Sequence, residues 1–189
     1  MAQQMASYLK ARPDLVMGLA TGETMRPVYA RLRKIFRTGG APSEAFSSFN
    51  LDEFIKVPKT HPSSFHAYMR SELFNYIQNA EDRCFMPDGM AKDLTAAATA
   101  FEAQIKHCGG IDIQLLGIGR NGHIGFNEPG TPFDSRTAVV ELSQQTRDVM
   151  TGFETNRPDQ AITMGIGTIM EARHCLLLAQ KKIQNQLAH

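Results

Sequence analysis

The sequence predicts an α/β protein with a mostly parallel β-sheet and helices on both faces of that sheet. Short apolar runs alternate with longer segments in which apolar residues recur every three to four positions, and polar loops separate the two. Strands joined by helices of about ten or more residues are typical of parallel sheets with right-handed crossovers. The chain of 189 residues is long enough to bury one core, so we expect a single domain over residues 1–189.

Each predicted element rests on the spacing of its apolar residues. The first helix ends at the Arg12-Pro13 step, because the residue before a proline avoids the helical region. The Ala-rich helix ends at Gly109-Gly110, a typical C-terminal signal. The elements are, in order, a helix over 1–11, a strand over 15–20, a helix over 25–36, a strand over 47–51, helices over 65–77 and 91–107, strands over 111–118 and 138–142, a helix over 159–172, a strand over 174–179 and a helical tail.

The composition excludes several classes of function. Lys and Arg number 20 against 19 Asp and Glu, so a strongly basic surface for nucleic acids is not expected. No apolar run approaches the ~18 residues that cross a membrane, and the N-terminal segment lacks the apolar core of a signal peptide. The three cysteines show no CxxC spacing, which favours reduced thiols over a disulfide or a zinc site. We therefore expect a cytoplasmic protein without nucleic-acid or membrane partners.

Polar side chains follow four of the predicted strands. These clusters are Thr21–Thr24, Asp52-Glu53, Gly119–Gly130 and Lys181-Lys182. Ligands of open parallel sheets bind at the carboxyl ends of the strands. We therefore expect the four clusters to converge on one site.

The loop over 119–130 is the most informative of the four. Its four glycines allow backbone angles that other residues avoid, and they let a ligand approach the main chain. The imidazole of His123 can take and return a proton near neutral pH, and the carboxylate of Glu128 can orient the ring. The spacing alone is equally compatible with a structural glycine-rich turn that carries an exposed histidine.

Two of the remaining three clusters also allow two interpretations each. A carboxylate directly after a strand, at Asp52-Glu53, suits abstraction of a proton next to a carbonyl group, but acidic residues also cap helices and loops. The Thr21–Thr24 turn precedes a helix and has the features of an anion-binding cradle. Simple N-capping by Thr24 is the alternative.

Several segments together resemble the glucosamine-6-phosphate deaminases. They are LATGET, FNLDEF followed by KTHPSSFHAYM, LLGIGRNGHIGFNEPGTPFDSRT and AITMGIGTIMEA. The resemblance implies a Rossmann-like fold and a reaction without metal or cofactor, in which glucosamine 6-phosphate and water give fructose 6-phosphate and ammonia. The related 6-phosphogluconolactonases usually carry a SLFPG-like stretch where this chain has FNEPG.

The resemblance also implies roles for individual residues. Asp52 matches the base that moves a proton from C2 towards C1 of the sugar. His123 matches the imidazole that opens the pyranose ring, Glu128 the carboxylate that supports it, and Asn121 completes this group. The residues expected to bind substrate and its phosphate are Thr21, Gly22, Glu23, Thr24, Lys181 and Lys182, with Arg26 in reserve.

The chain departs from the family pattern at several points. Asn121 stands where many members have Asp, and Gly152 stands where many deaminases have an arginine that grips the phosphate. We also expect the fold to lack the family's usual first strand and its C-terminal strand and helix, which would leave sheet edges open to self-association. The alternatives are a galactosamine-6-phosphate deaminase and a non-catalytic sensor of sugar phosphates.

Overall fold

The computed structural model describes residues 1–119, 121–153 and 157–179. The strands in these residues are β1 (Val16–Leu19), β2 (Ser47–Asn50), β3 (Asp52–Phe54), β4 (Cys84–Phe85), β5 (Ile113–Gly117), β6 (Ala138–Glu141), β7 (Gln160–Thr163) and β8 (His174–Leu178). The helices are α1 (Ala2–Ala11), α2 (Arg26–Arg37), α3 (Phe65–Glu72), α4 (Ala80–Arg83), α5 (Leu94–His107), α6 (Gln144–Val149) and α7 (Ile166–Met170). A short 3-10 helix spans Phe74–Tyr76.

Five strands form the central sheet in the order β4-β2-β1-β5-β8, and every neighbouring pair is parallel. All four residues of β1 are buried, so both faces of this strand are covered, since successive side chains point to opposite faces. The predicted α/β class and parallel sheet are confirmed. Because the strands run in the same direction, the carboxyl ends of β1, β2, β5 and β8 lie along one edge of the sheet.

A second, antiparallel sheet has the order β3-β7-β6 and was not expected from the sequence. The helix predicted over 159–172 is wrong in its first half, where β7 forms, and only α7 is helical. Ala161 and Ile162 are fully buried between β3 and β6, so pairing on both sides outweighs the helical spacing of the apolar residues. Asp52 and Glu53 belong to β3 and not to a loop.

Smaller differences from the predicted elements have local causes. The helix predicted over 65–77 ends at Glu72, and the 3-10 helix replaces its last turn. The helix predicted from residue 91 begins at Leu94, because the carboxylate of Asp93 accepts a hydrogen bond from the Ala96 N–H as an N-cap. The elements α4, α6 and β4 are too short to give a readable period. The predicted tail helix lies outside the described residues.

The main core lies between the central sheet and its helices. Leu9 of α1 and Tyr29 of α2 have no exposed surface. Phe49 on β2 stacks on Phe85 at 4.9 Å and meets Phe101 of α5 edge-on at 5.5 Å. In the described parts of the chain, no helix combines the length and the apolar character needed to span a membrane.

Two glycines allow α7 to pack closely on the loop before β6. A Cβ atom on Gly165 would lie 2.3 Å from the carbonyl oxygen of Ser135, and one on Gly167 would lie 2.9 Å from it. We expect Gly165→Ala to lower the free energy of unfolding by about 1–3 kcal/mol, the usual cost of overpacking. Chemical denaturation measures this change. Gly117→Ala is the control, because its Cβ would meet only the Met25 Cε at 3.5 Å; equal midpoints for the two variants would contradict the packing argument.

Candidate active site

Three of the four polar clusters lie at the carboxyl edge of the central sheet. The Thr21–Thr24 turn follows β1, Asp52 comes two residues after β2, and the 119–130 loop follows β5. Gly125 brings this loop to Asp52: a Cβ atom on Gly125 would lie 3.3 Å from Asp52 Oδ2. Lys181 and Lys182, predicted as the fourth cluster, lie outside the described residues.

His123, Asn121 and Glu128 form a hydrogen-bonded chain within the loop. His123 Nδ1 lies 2.8 Å from Asn121 Oδ1, and Asn121 Nδ2 donates to the carboxylate of Glu128. Glu128 Oε1 lies 3.8 Å from His123 Nδ1. Because the amide oxygen of Asn121 only accepts, Nδ1 carries the proton and Nε2 is left as an acceptor. The His123 side chain is 28% exposed, so part of the imidazole is accessible from solvent.

The backbone of the loop holds the imidazole in place. A Cβ atom on Gly119 would lie 2.3 Å from both Cε1 and Nε2 of His123, so the ring packs directly on the glycine backbone. Asn127 is buried, and its Nδ2 donates to the carbonyl oxygens of Ile124 and Met164 at 2.9 and 2.8 Å. These contacts fix the loop to the end of β7. The structure therefore favours a preorganised site over an exposed turn.

Asp52 is buried at the start of β3, opposite Thr163 of β7. Burial, together with the negative charge of the adjacent Glu53, raises the pKa of Asp52 from its ordinary 3.8 to about 8. Such a carboxyl group can exchange a proton near neutral pH, which suits a general base. The Thr163 hydroxyl accepts a hydrogen bond from the Phe126 N–H, so β7 joins Asp52 to the histidine loop.

The turn after β1 is shaped by Gly22, whose φ is +110°. The carbonyl oxygen of Gly22 accepts hydrogen bonds from the Met25 N–H at 3.0 Å and from the Tyr68 hydroxyl at 2.7 Å. The N-cap of α2 is Met25 and has no side-chain hydrogen bond, so the N-capping expected of Thr24 as an alternative is not observed. The Glu23 side chain is 85% exposed and therefore does not fill the turn.

Arg26, the reserve candidate for a phosphate ligand, is occupied by other groups. Its Nε donates to Glu23 at 2.9 Å, its Nη1 pairs with Glu72, and its guanidinium lies 5.0 Å from the centre of the Tyr68 ring. The hydrogen bond to Glu23 is the main cause of the raised pKa of Arg26. These contacts direct the guanidinium towards α3 and make Arg26 a weaker candidate than the sequence indicated.

The backbone at Gly152 disfavours a side chain. Its φ is +81°, and a Cβ atom would lie 2.2 Å from Ser63 Oγ. The neighbouring Phe153 stacks on the ring of His61 at 4.9 Å. The site therefore has a close glycine–serine contact where many deaminases are expected to have an arginine. In the described ranges, no three His, Cys, Asp or Glu side chains are grouped to hold a metal ion.

Comparison with known proteins identifies the family of this chain. The sequence profile of the glucosamine-6-phosphate isomerases/6-phosphogluconolactonase family matches residues 1–188. The chain belongs to this family. The glucosamine-6-phosphate deaminase of Bacillus velezensis is 44% identical over 188 residues, which cover 98% of this chain and 78% of that protein. The deaminase of Shewanella loihica is 47% identical over 181 residues, covering 94% and 68%.

Solved structures of the family agree with the fold. A monomeric glucosamine-6-phosphate deaminase superimposes with a TM-score of 0.89 at 43% identity, over 93% of this chain and 74% of the other. The 6-phosphogluconolactonase of Thermotoga maritima superimposes with a TM-score of 0.71 at 18% identity, over 93% and 74%, and shows a shared fold. The resemblance found in the sequence is confirmed, as is the Rossmann-like α/β architecture.

Sequence reasoning named Glu53 only as a neighbour of Asp52, and it missed Tyr68 and Thr163. Glu53 anchors the start of α3, Tyr68 holds the Gly22 turn, and Thr163 joins the histidine loop to Asp52. Tyr68 lies in KTHPSSFHAYM, one of the segments that resemble the deaminases, but its spacing indicated only an apolar helix face. No spacing signal marks a contact between residues so far apart in the sequence.

Proposed function

We propose that the chain catalyses the isomerising deamination of glucosamine 6-phosphate to fructose 6-phosphate and ammonia. The observation that carries this proposal is the close approach of the histidine loop to Asp52. The loop that holds the His123–Asn121–Glu128 chain also packs its Gly125 against the buried carboxyl group of Asp52. A ring-opening group and an enolising base therefore belong to neighbouring segments at the same edge of the central sheet. Deaminases 42–47% identical to this chain support the choice of substrate.

Ring opening is assigned to the histidine loop. Nε2 of His123 accepts the O1 proton of the pyranose and returns it to the ring oxygen, which gives the open-chain aldehyde. Asn121 holds the opposite ring nitrogen, Nδ1, and fixes the tautomer that this step requires. The Glu128 carboxylate orients Asn121 and stabilises the transient imidazolium.

Asp52 is assigned to the isomerisation. Its carboxylate removes the C2 proton next to the aldehyde and delivers it to C1, which leaves an imine at C2. Water adds to the imine and ammonia leaves, so that the products are fructose 6-phosphate and ammonia. The raised pKa of Asp52 requires the bound substrate to favour ionisation, and the cationic amino group at C2 supplies that charge.

The phosphate is assigned to the Thr21–Thr24 turn at the start of α2. Backbone N–H groups and the positive end of the helix dipole favour a dianion there, and Glu23 points to solvent. Lys181 and Lys182 stay the proposed cationic partners. The phosphate supplies binding energy away from the reacting carbons, which orients C1 and C2 between His123 and Asp52.

Removal of the Tyr68 hydroxyl tests the phosphate assignment. Tyr68→Phe loses the hydrogen bond to the Gly22 carbonyl, and a single hydrogen bond is worth about 0.5–1.5 kcal/mol. We expect KM for the sugar phosphate to rise about two- to tenfold while kcat stays nearly constant. Steady-state kinetics of Tyr76→Phe, an exposed tyrosine near the same helix, provide the control. An unchanged KM in Tyr68→Phe would place the phosphate elsewhere.

The substrate is tested by ammonia release from glucosamine 6-phosphate and from its galacto epimer, measured side by side. We expect the gluco epimer to have the higher kcat/KM. A preference for the galacto epimer would support the alternative deaminase, which the absence of an arginine side chain at Gly152 favours. Binding of both sugar phosphates without ammonia release would support the sensor alternative.

The assembly and location of the chain are part of the proposal. The similar solved deaminase is monomeric, whereas the edge of the central sheet at β8 exposes Leu177. Self-association of the chain and its cytoplasmic location both stay predictions, as does the single domain over 1–189. Light scattering across a range of protein concentrations measures the association.

A further inference from the structure

The carboxylate of Glu53 accepts three backbone hydrogen bonds, although the proposed reaction assigns it no role. Its Oε1 accepts hydrogen bonds from the N–H groups of Phe54 at 2.9 Å and Phe65 at 3.0 Å, and its Oε2 accepts one from His66 at 2.8 Å. Phe65 and His66 are the first two residues of α3, whose N–H groups have no partner within the helix. The Glu53 side chain is buried. It joins β3 to the start of α3.

The neighbouring carboxyl group has the opposite environment. Asp52 is also buried, but its carboxyl group receives no hydrogen bond from the residues that the structure describes. Burial raises the pKa of Glu53 as well, but three N–H groups and the nearby Lys59 act in the opposite direction. Glu53 therefore loses its proton at lower pH than Asp52. The resulting negative charge on Glu53 then opposes the ionisation of Asp52.

We propose that Glu53 is a positioning residue, whose anchored carboxylate ties β3, the strand that carries Asp52, to the start of α3 and keeps a negative charge next to Asp52. This inference rests on the proposed deaminase function. The charge makes Asp52 a stronger base for the C2 proton. The two adjacent carboxyl groups therefore have separate roles: Glu53, which accepts hydrogen bonds, is the anchor, and Asp52, which accepts none from the described residues, is the base.

The other groups around this pair do not replace Glu53. His66 on α3 has a pKa lowered by burial and by Lys59 and Arg70, so it is neutral near pH 7. The facing strand β7 contributes the uncharged Thr163. The histidine loop approaches through Gly125, and the side chains of His123 and Glu128 are hydrogen-bonded to Asn121. The negative charge that raises the pKa of Asp52 is that of Glu53.

The test is the pH dependence of kcat/KM for glucosamine 6-phosphate in the wild type and in Glu53→Gln. The wild type should gain activity with rising pH until Asp52 is ionised, at a midpoint of about 8 in the free enzyme. Without the neighbouring charge, the midpoint of Glu53→Gln should move down by about one pH unit. The plateau should fall by up to about tenfold, because Asp52 is now a weaker base.

Ser64→Ala provides the matched control. Ser64 is the N-cap of α3 and its Oγ accepts a hydrogen bond from the Ala67 N–H at 3.0 Å, so this variant loosens the same helix end without changing a charge. It should lower the melting temperature but leave the midpoint where it is. The same midpoint in wild type and Glu53→Gln would overturn the inference. A wild type that releases no ammonia would instead overturn the proposed function.

If Glu53→Gln does not fold, the inference can be tested by a measurement on the wild type. Carboxyl 13C NMR follows the ionisation of Asp52 and Glu53 separately. We expect the Glu53 signal to titrate at lower pH than the Asp52 signal, and the Asp52 signal to be absent from the spectrum of Asp52→Asn. If Asp52 ionises first, Glu53 does not supply the charge and the inference is wrong.

Discussion

Asp52→Asn should reduce kcat by about 10²–10⁴-fold, the range expected when a general base is lost. The amide is close in size to the carboxyl group, and the buried position on β3 opposite Thr163 stays filled. Substrate binding should therefore change little. Steady-state kinetics with glucosamine 6-phosphate measure both quantities. Turnover within tenfold of the wild type would remove Asp52 from the mechanism.

The same substitution should stabilise the fold at alkaline pH. The folded-state pKa of about 8 lies above the ordinary 3.8, so the folded protein holds a proton that the unfolded chain releases. Between these two values, the free energy of unfolding of the wild type therefore falls as the pH rises. Asp52→Asn has no such dependence, so its advantage in melting temperature should grow from about pH 5 to about pH 8.

Asp112→Asn provides a control of opposite sign. Burial opposes ionisation of Asp112, but the Val16 N–H, Arg12 and Arg173 outweigh it and lower its pKa. Loss of this carboxylate should destabilise the protein at neutral pH, and the difference should shrink as acid protonates the wild type. A melting-temperature difference for Asp52→Asn that does not vary with pH would contradict the buried, proton-holding carboxyl group.

His123→Gln should affect the cyclic substrate far more than one that cannot close the pyranose ring. Gln cannot carry a proton from O1 to the ring oxygen, so we expect kcat/KM for glucosamine 6-phosphate to fall about 10²–10⁴-fold. The Asp52 step does not need the imidazole. With 5-deoxyglucosamine 6-phosphate, which lacks the hydroxyl that closes the pyranose, the loss should stay below about tenfold.

His107→Gln controls for loss of a histidine, since His107 is exposed at the end of α5. It should leave kcat/KM unchanged for both compounds. Equal losses on the two substrates in His123→Gln would contradict the separation of ring opening from isomerisation.

The sequence was sufficient for most of the central sheet because three of its strands lie in short apolar runs. The runs that contain β1, β5 and β8 are short and continuous, and they can form neither an amphipathic helix nor a loop. The strand β7 could not be recognised, because its apolar residues have helical spacing and only the pairing with β3 and β6 makes them a strand.

The candidate site was predicted in part for a similar reason. Asn121, His123 and Glu128 lie within eight residues of one another, so one loop brings them together. Glu53 and Tyr68 depend on partners that only the fold supplies: the start of α3 for Glu53 and the turn after β1 for Tyr68. Contacts of this kind leave no periodic signal in the sequence.

The most direct test of the deaminase proposal is the product ratio of the wild-type chain. Glucosamine 6-phosphate is incubated with the protein, and 1H NMR for the sugar and an enzymatic assay for ammonia follow the two products over time. We expect fructose 6-phosphate and ammonia to appear in equal amounts and at equal rates, and neither to appear with Asp52→Asn on the same time scale. Consumption of the amino sugar without ammonia, or no consumption by the folded wild type, would contradict the proposed function.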